Sequence, residues 1–132
     1  MSNPRLIITA KERDLITSWI TGFSPADISV QNSLQNLLEE LKHADIRTEA
    51  DLPGDVVRIN SVVTVQSPTS RKEGLQLVMP EDADLRANKL SVFSVMGSAL
   101  IGYREGTTIR WILPKGEENI LLEKVDNSKV AD

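Results

Sequence analysis

Cysteine is absent from the 132 residues, and histidine occurs once, at His43. Disulfides and thiolate-bound metals are therefore excluded, and a histidine-rich metal site with them. No stretch reaches the ~20 apolar residues that span a bilayer, and the N-terminus carries no long apolar targeting segment. The expected location is cytoplasmic. Low-complexity tracts and internal repeats are missing too. Positive charge is in deficit, with 15 Lys and Arg against 19 Asp and Glu, a net charge of −4. Nonspecific binding to nucleic acid needs a basic surplus to neutralise phosphates. Arg71-Lys72 and Arg86/Lys89 are too scattered to form a basic stripe, so direct nucleic-acid binding is not expected. Docking on a basic protein surface stays compatible with this charge.

What is present is ordinary for a globular protein, with 40% hydrophobic and 26% charged residues. The length suits one domain, or a small domain with an appendage. Residues 9–21 read as an amphipathic helix. Thr9 and Glu12 have the spacing of a capping box, which satisfies two free N–H groups at a helix start. Leu15, Ile16, Trp19, Ile20 and Phe23 recur on one face, and Gly22 supplies the stop. Ser24-Pro25 opens a turn or a new helical start. A second stripe follows in Val30, Leu34, Leu37, Leu38 and Leu41, with Glu39, Glu40 and Lys42 on the wet face. A short connection predicts that the two helices lie antiparallel, each about 20 Å long at ~1.5 Å per residue.

Residues 44–55 form a polar connector, after which the pattern changes to period two. Val57, Ile59, Ser61, Val63 and Val65 alternate with a mixed face and predict a strand from residue 56. Ser67-Pro68-Thr69-Ser70 is a turn, and Leu75 to Met79 a second strand ended by Pro80. Pro80-Glu81-Asp82-Ala83-Asp84 is a polar turn, Lys89 to Phe93 an extended run, and Met96 to Gly102 a short apolar helix bracketed by glycines. Residues 107–113 and 119–125 predict a closing hairpin around Pro114-Lys115-Gly116, with 126–132 frayed. The expected domains are 1–52, a helical hairpin with its connector, and 53–132, a sheet domain. Val57, Ile59, Val63, Leu77, Val92, Leu100, Ile109 and Leu113 are the expected core.

Several motifs have a plain structural reading. Gly97 and Gly102 have phosphate-loop spacing, but Tyr103-Arg104 stand where Lys-Ser/Thr is required. Nucleotide binding is not expected, and the glycines are read as ends of a tight helix. Glu81, Asp82 and Asp84 read as a solvated turn, His43 as a polar residue near a helix C-terminus, and Trp19 as core. Asp27 reads as an acid stabilised by the dipole of the second helix. No cofactor and no metal are called for.

The order of residues 80–102, PEDADLRANKLSVFSVMGSALIG, resembles the C-terminal domain of the bacterial transcription factors GreA and GreB and of their relative Rnk, the regulator of nucleoside diphosphate kinase. The family reads P-x-E-A-D followed by K-I-S-V-x-S-P-x-G-x-A-L-L-G, and the resemblance extends from about Val56 to Val125. It implies an α+β fold: a short N-terminal antiparallel helical hairpin, then an FKBP-like antiparallel sheet domain with one short helix. The implied partner is RNA polymerase, bound at the rim of its secondary channel.

The loop before the short helix belongs to the family's docking surface, which implies partner contacts by Ser94, Val95, Met96 and Gly97. Val95 replaces the family's usual proline, so the loop costs more to order. The alternative is that Val95 and Met96 pack on the sheet. At the hairpin tip the family carries two acids that help to hold a polymerase Mg²⁺ during transcript cleavage. Only Asp27 stands at this tip, which implies docking without cleavage, closer to Rnk than to GreA or GreB. Two rival functions remain: an FKBP-like prolyl isomerase, for which Phe93, Tyr103 and Trp111 are a sparse aromatic supply, and an adaptor for another protein.

Overall fold

The structure, a computed structural model, describes residues 5–22, 27–113 and 116–130, with the backbone alone for 111–113. Two helices come first. Helix α1 (Ala10–Thr21) starts at Thr9, whose hydroxyl oxygen accepts the Glu12 N–H at 3.2 Å. The other arm of the capping box is diverted: the Glu12 carboxylate accepts the Thr9 hydroxyl and the Arg58 guanidinium instead of the Thr9 N–H. Ile16 and Ile20 are buried and Trp19 partly so, whereas Leu15 lies exposed on the flank of the stripe. Gly22 caps the helix without a left-handed φ. Phe23, Ser24 and Pro25 lie outside the described residues.

Helix α2 (Ile28–Lys42) buries Leu34, Leu37 and Leu41, with Val30 and Leu38 packed at the edge of the core. His43 caps its end, and its carbonyl accepts the Arg5 guanidinium. The polar connector conceals a pairing: β1 (Ile7–Ile8) and β2 (Asp45–Ile46) form a parallel ladder. The outer ends of α1 and α2 thus meet, and the helices double back on each other. Two residues per strand are too few for a period-two signal.

The remaining chain forms a five-stranded sheet in the order β5-β4-β3-β7-β6. The strands are β3 (Val62–Gln66), β4 (Arg71–Val78), β5 (Lys89–Ser91), β6 (Thr108–Leu113) and β7 (Gly116–Asp126). All pairs are antiparallel except β4 with β5, which run parallel. Two 3₁₀ turns, Pro80–Asp82 and Leu85–Ala87, carry the chain back between them.

The predicted first strand is shortened. Residues 56–61 leave the ladder, with the adjacent Val56 and Val57 both buried, because Asn60 adopts a φ of 78° and the Ser61 hydroxyl accepts the Arg58 N–H. Each neighbour of β3 carries a bulge, β4 at Gly74, whose φ is +68°, and β7 near Glu123. The second explains why burial on β7 steps from Leu122 to Val125 rather than alternating.

One apolar core joins the helices to the sheet, from Leu6, Ile16 and Leu37 through Val63, Leu77 and Phe93 to Leu100, Ile109 and Leu122. Of the expected core, Val57, Val63, Leu77, Val92, Leu100 and Ile109 are buried and Ile59 is at the margin. The Leu113 side chain lies outside the description. The C-terminal end is tied down at Asn127 rather than frayed there: its amide donates to the Gly54 and Val56 carbonyls at 2.9 and 2.8 Å and accepts the Ser61 hydroxyl.

Candidate functional site

The stretch read as a loop is mostly helix. Helix α3 (Val95–Leu100) has Ser94 as its N-cap, whose hydroxyl accepts the Gly97 N–H at 3.0 Å and donates to the Ser91 carbonyl at 2.7 Å. Ser91 in turn accepts the Phe93 N–H through its own hydroxyl. This serine-rich corner turns the chain from β5 into α3 within three residues. Val95 and Met96 are half-buried, and Met96 packs on the core.

Gly97 needs a correction. It is buried inside α3, where a Cβ would overlap the carbonyl oxygen of Ser91. It is therefore neither a helix end nor a surface contact; it lets the helix lie against the backbone of the preceding turn. Gly102 does end the helical turn, with φ of +86°, and a Cβ there would stand 2.9 Å from the Leu6 Cβ. The same glycine accepts the Ile7 N–H, fixing β1 against the end of α3.

Beside Val95 a groove of about 300 Å³ opens between α2, α3 and β6. Leu37, Ala99 and Ile109 supply apolar lining, and Asn36, Glu40, Ser98 and Arg110 supply polar groups. Tyr103, 2% exposed, donates its hydroxyl to Glu40 at 2.9 Å across the groove. Glu40 stays open to solvent at the mouth, yet the groups packed around its carboxylate withdraw enough water to raise its pKa. The Tyr103 hydrogen bond works in the opposite direction and is outweighed. Arg110 is paired with Glu117 at 2.7 Å, and Glu39 with Lys42 at 3.1 Å. Sequence reasoning placed Glu40 on a wet helix face and missed its partner, 63 residues away; no local pattern signals such a pair.

Asp27 is not part of this groove. It is the N-cap of α2, with its carboxylate accepting the Ser29 N–H at 2.8 Å. Glu81 and Asp82 are exposed, while Asp84 caps the second 3₁₀ turn through the Arg86 N–H. Among the described residues no three His, Cys, Asp or Glu side chains come together as a metal site. No described helix is long and apolar enough to cross a membrane.

A helical pair in front of a mostly antiparallel sheet with one tight helix is the architecture of a known class. Residues 52–127 match the family described as the transcription elongation factor GreA/GreB C-terminal domain, and the chain belongs to that family. GreA of Rhodopseudomonas palustris (strain TIE-1) is 30% identical over 97 residues, 73% of this chain and 61% of the relative. GreA of Syntrophobacter fumaroxidans is 31% identical over 99 residues, 74% and 64%. The chain thus spans less than two thirds of these curated relatives. A solved structure of a GreA/GreB transcription elongation factor from Nitrosomonas europaea superposes with a TM-score of 0.71 at 27% identity, covering 93% of this chain and 98% of that one.

Proposed function

We propose that this chain is a regulator that docks on RNA polymerase, at the rim of the secondary channel, through Ser94, Val95 and Met96, and that it does not stimulate transcript cleavage. The observation that carries the reading is the family match over residues 52–127, which contains the whole docking segment. The half-burial of Val95 and Met96 supports it, since each offers part of its side chain to a partner. Gly97 contributes by holding α3 in place rather than by contact.

The absence of cleavage follows from the tip. Asp27 is its one acid, and the carboxylate already serves the start of α2. Holding a hard divalent cation takes several oxygen ligands. At ~1.5 Å per residue, the 12 residues of α1 and the 15 of α2 make a stub of about 18–22 Å. A polymerase ligand of this kind, similar to Rnk, would compete with true cleavage factors for their docking site. The isomerase alternative has less support, because Phe93 is buried in the core and Tyr103, itself 2% exposed, is the one described aromatic side chain lining the groove.

The test is binding of Met96→Asp to purified bacterial core RNA polymerase, with thermal melting of the same variant. Burying an unpaired carboxylate at the interface should weaken binding by about tenfold or more. Val95→Glu is the second variant, should Met96→Asp lose its fold. Intact binding by a folded variant overturns the docking site, and shortened RNA above the polymerase's own background overturns the claim about cleavage. A wild-type chain that ignores polymerase returns the adaptor reading.

A further inference from the structure

Glu40 is the one carboxylate lining the groove beside α3 with no cationic partner among the described residues. Its neighbour Glu39 is neutralised by Lys42, and Arg110 by Glu117. Tyr103 gives Glu40 a hydroxyl but no charge. A second group at the same place is also incomplete. Ser98 is 8% exposed and lines the groove; its hydroxyl donates to the Val95 carbonyl at 3.1 Å and accepts no hydrogen bond from any described residue. The groove therefore presents acceptors in need of donors: a carboxylate, a buried hydroxyl and the Asn36 side chain. Its walls, Leu37, Val95, Ala99 and Ile109, are apolar and suit a hydrocarbon stem.

Resting on the docking reading above, we infer that the groove between α2 and α3 receives an arginine side chain of the protein on which Val95 and Met96 dock. A planar guanidinium carries five N–H donors in a fixed fork, which can serve the carboxylate and neighbouring acceptors together. Its methylene stem covers apolar surface at the same time. Lysine would bring one compact charge and satisfy fewer of these groups. Val95 belongs both to the docking segment and to the groove wall, so one partner can engage both without any movement of the chain. The interface is then half apolar contact and half a charged pair held at the edge, which fixes orientation as well as affinity.

Glu40→Gln is the informative variant, because the amide oxygen still accepts the Tyr103 hydroxyl and only the charge is lost. Binding to purified core RNA polymerase should weaken about tenfold or more, and the remaining binding should depend less on salt. Asp51→Asn, an exposed acid outside the groove, should change binding less than twofold or so. If Met96→Asp abolishes binding while Glu40→Gln leaves it intact, the arginine pocket is wrong and the docking surface stands. If Met96→Asp also leaves binding intact, the docking reading itself has failed.

A polymerase-free measurement separates the two further. Titration of the isolated protein with N-acetyl-arginine amide, followed by backbone NMR, should shift the amides of Asn36, Glu40, Ser98 and Tyr103. N-acetyl-lysine amide should move them less, and Glu40→Gln should abolish the response. Equal shifts with both probes, or none with arginine, would sink the proposal.

Discussion

Two junctions hold this fold together, and they do it by opposite means. The first seats α3 on the turn after β5. It is built from close approach: Gly97 lies against the Ser91 carbonyl, Leu100 and Ile101 are fully buried, and Ser94 closes the corner with its own hydroxyl. The second adds an ionic link beside the apolar core that already joins the helices to the sheet. Arg58 reaches Glu12 on α1 at 2.7 Å and Glu49 in the connector at 2.6 Å, with its side chain only 15% exposed. Burial opposes its charge, but the two carboxylates together outweigh that and hold its pKa above the usual arginine value. Steric contact leaves α3 intolerant of added atoms at Gly97. The ionic junction tolerates changes of shape but not loss of one partner.

Adding one methyl group to the first junction should have the largest effect. In Gly97→Ala the new Cβ meets backbone, which cannot rotate away. Either α3 tilts off Ser91 or the β5 turn shifts, and overpacking of this kind costs about 3 kcal/mol or more. Chemical denaturation measures it, and the same variant should lose polymerase binding because the docking segment moves with α3. A loss under ~0.5 kcal/mol would mean that α3 is not seated as described.

The ionic junction comes next. Arg58→Ala leaves Glu12, whose side chain is 12% exposed, without its cation inside the fold. Removing one member of a buried pair costs ~3–5 kcal/mol; the partial exposure of Glu49 and the remaining Thr9 hydroxyl bring the expected loss to about 2 kcal/mol. Arg58→Met with Glu12→Leu should recover most of it, since an apolar pair of similar volume needs no solvation. Failure of that double variant to recover stability would assign the junction to specific hydrogen bonds rather than to charge balance.

Much of the first junction was legible in the sequence, and almost none of the second. The serines, the glycines and the apolar run of residues 91–102 lie close together, so local chemistry sets their structure. The period-two signal found β3 and the buried positions Val57, Val63 and Leu77, but overran into residues 56–61 because patterning does not show the positive φ at Asn60. The parallel pairing of β4 and β5 was missed because a return through two 3₁₀ turns has no hydrophobic period of its own. Arg58–Glu12 and Tyr103–Glu40 link residues 46 and 63 positions apart. Such pairs are consequences of the finished fold. The groove that Tyr103 and Glu40 border was invisible for the same reason, although one of its walls, Val95, had been singled out.

The hairpin tip offers a smaller contrast with α3. Both helices begin at a capping side chain, Asp27 for α2 and Ser94 for α3. Asp27→Ala should cost about 1 kcal/mol, the usual value for a lost N-cap, with no change in polymerase binding. Reduced binding by this variant would give the tip a contact of its own.

The smallest effect concerns Glu40 and separates its part in stability from its part in docking. Its carboxyl has a pKa raised above the ordinary glutamate value, chiefly by desolvation. An acid of this kind holds its proton more tightly in the folded state than in the unfolded one. Over the interval from the ordinary glutamate pKa up to the raised one, the folded state binds more protons, so stability falls as pH rises through that interval. Below it the acid is protonated in both states and the difference is at its most favourable; above it the charged form carries the desolvation cost in full. Glu40→Gln keeps the acceptor for Tyr103 and cannot ionise. The variant's stability relative to the wild type should therefore increase as pH rises through the interval and then level off. Denaturation of both proteins from pH 3.5 to pH 7.5 is the measurement, and its reading is a slope, not an absolute stability. A difference that decreases with pH would mean that Tyr103, not desolvation, governs Glu40, and the carboxylate would then be satisfied without any partner.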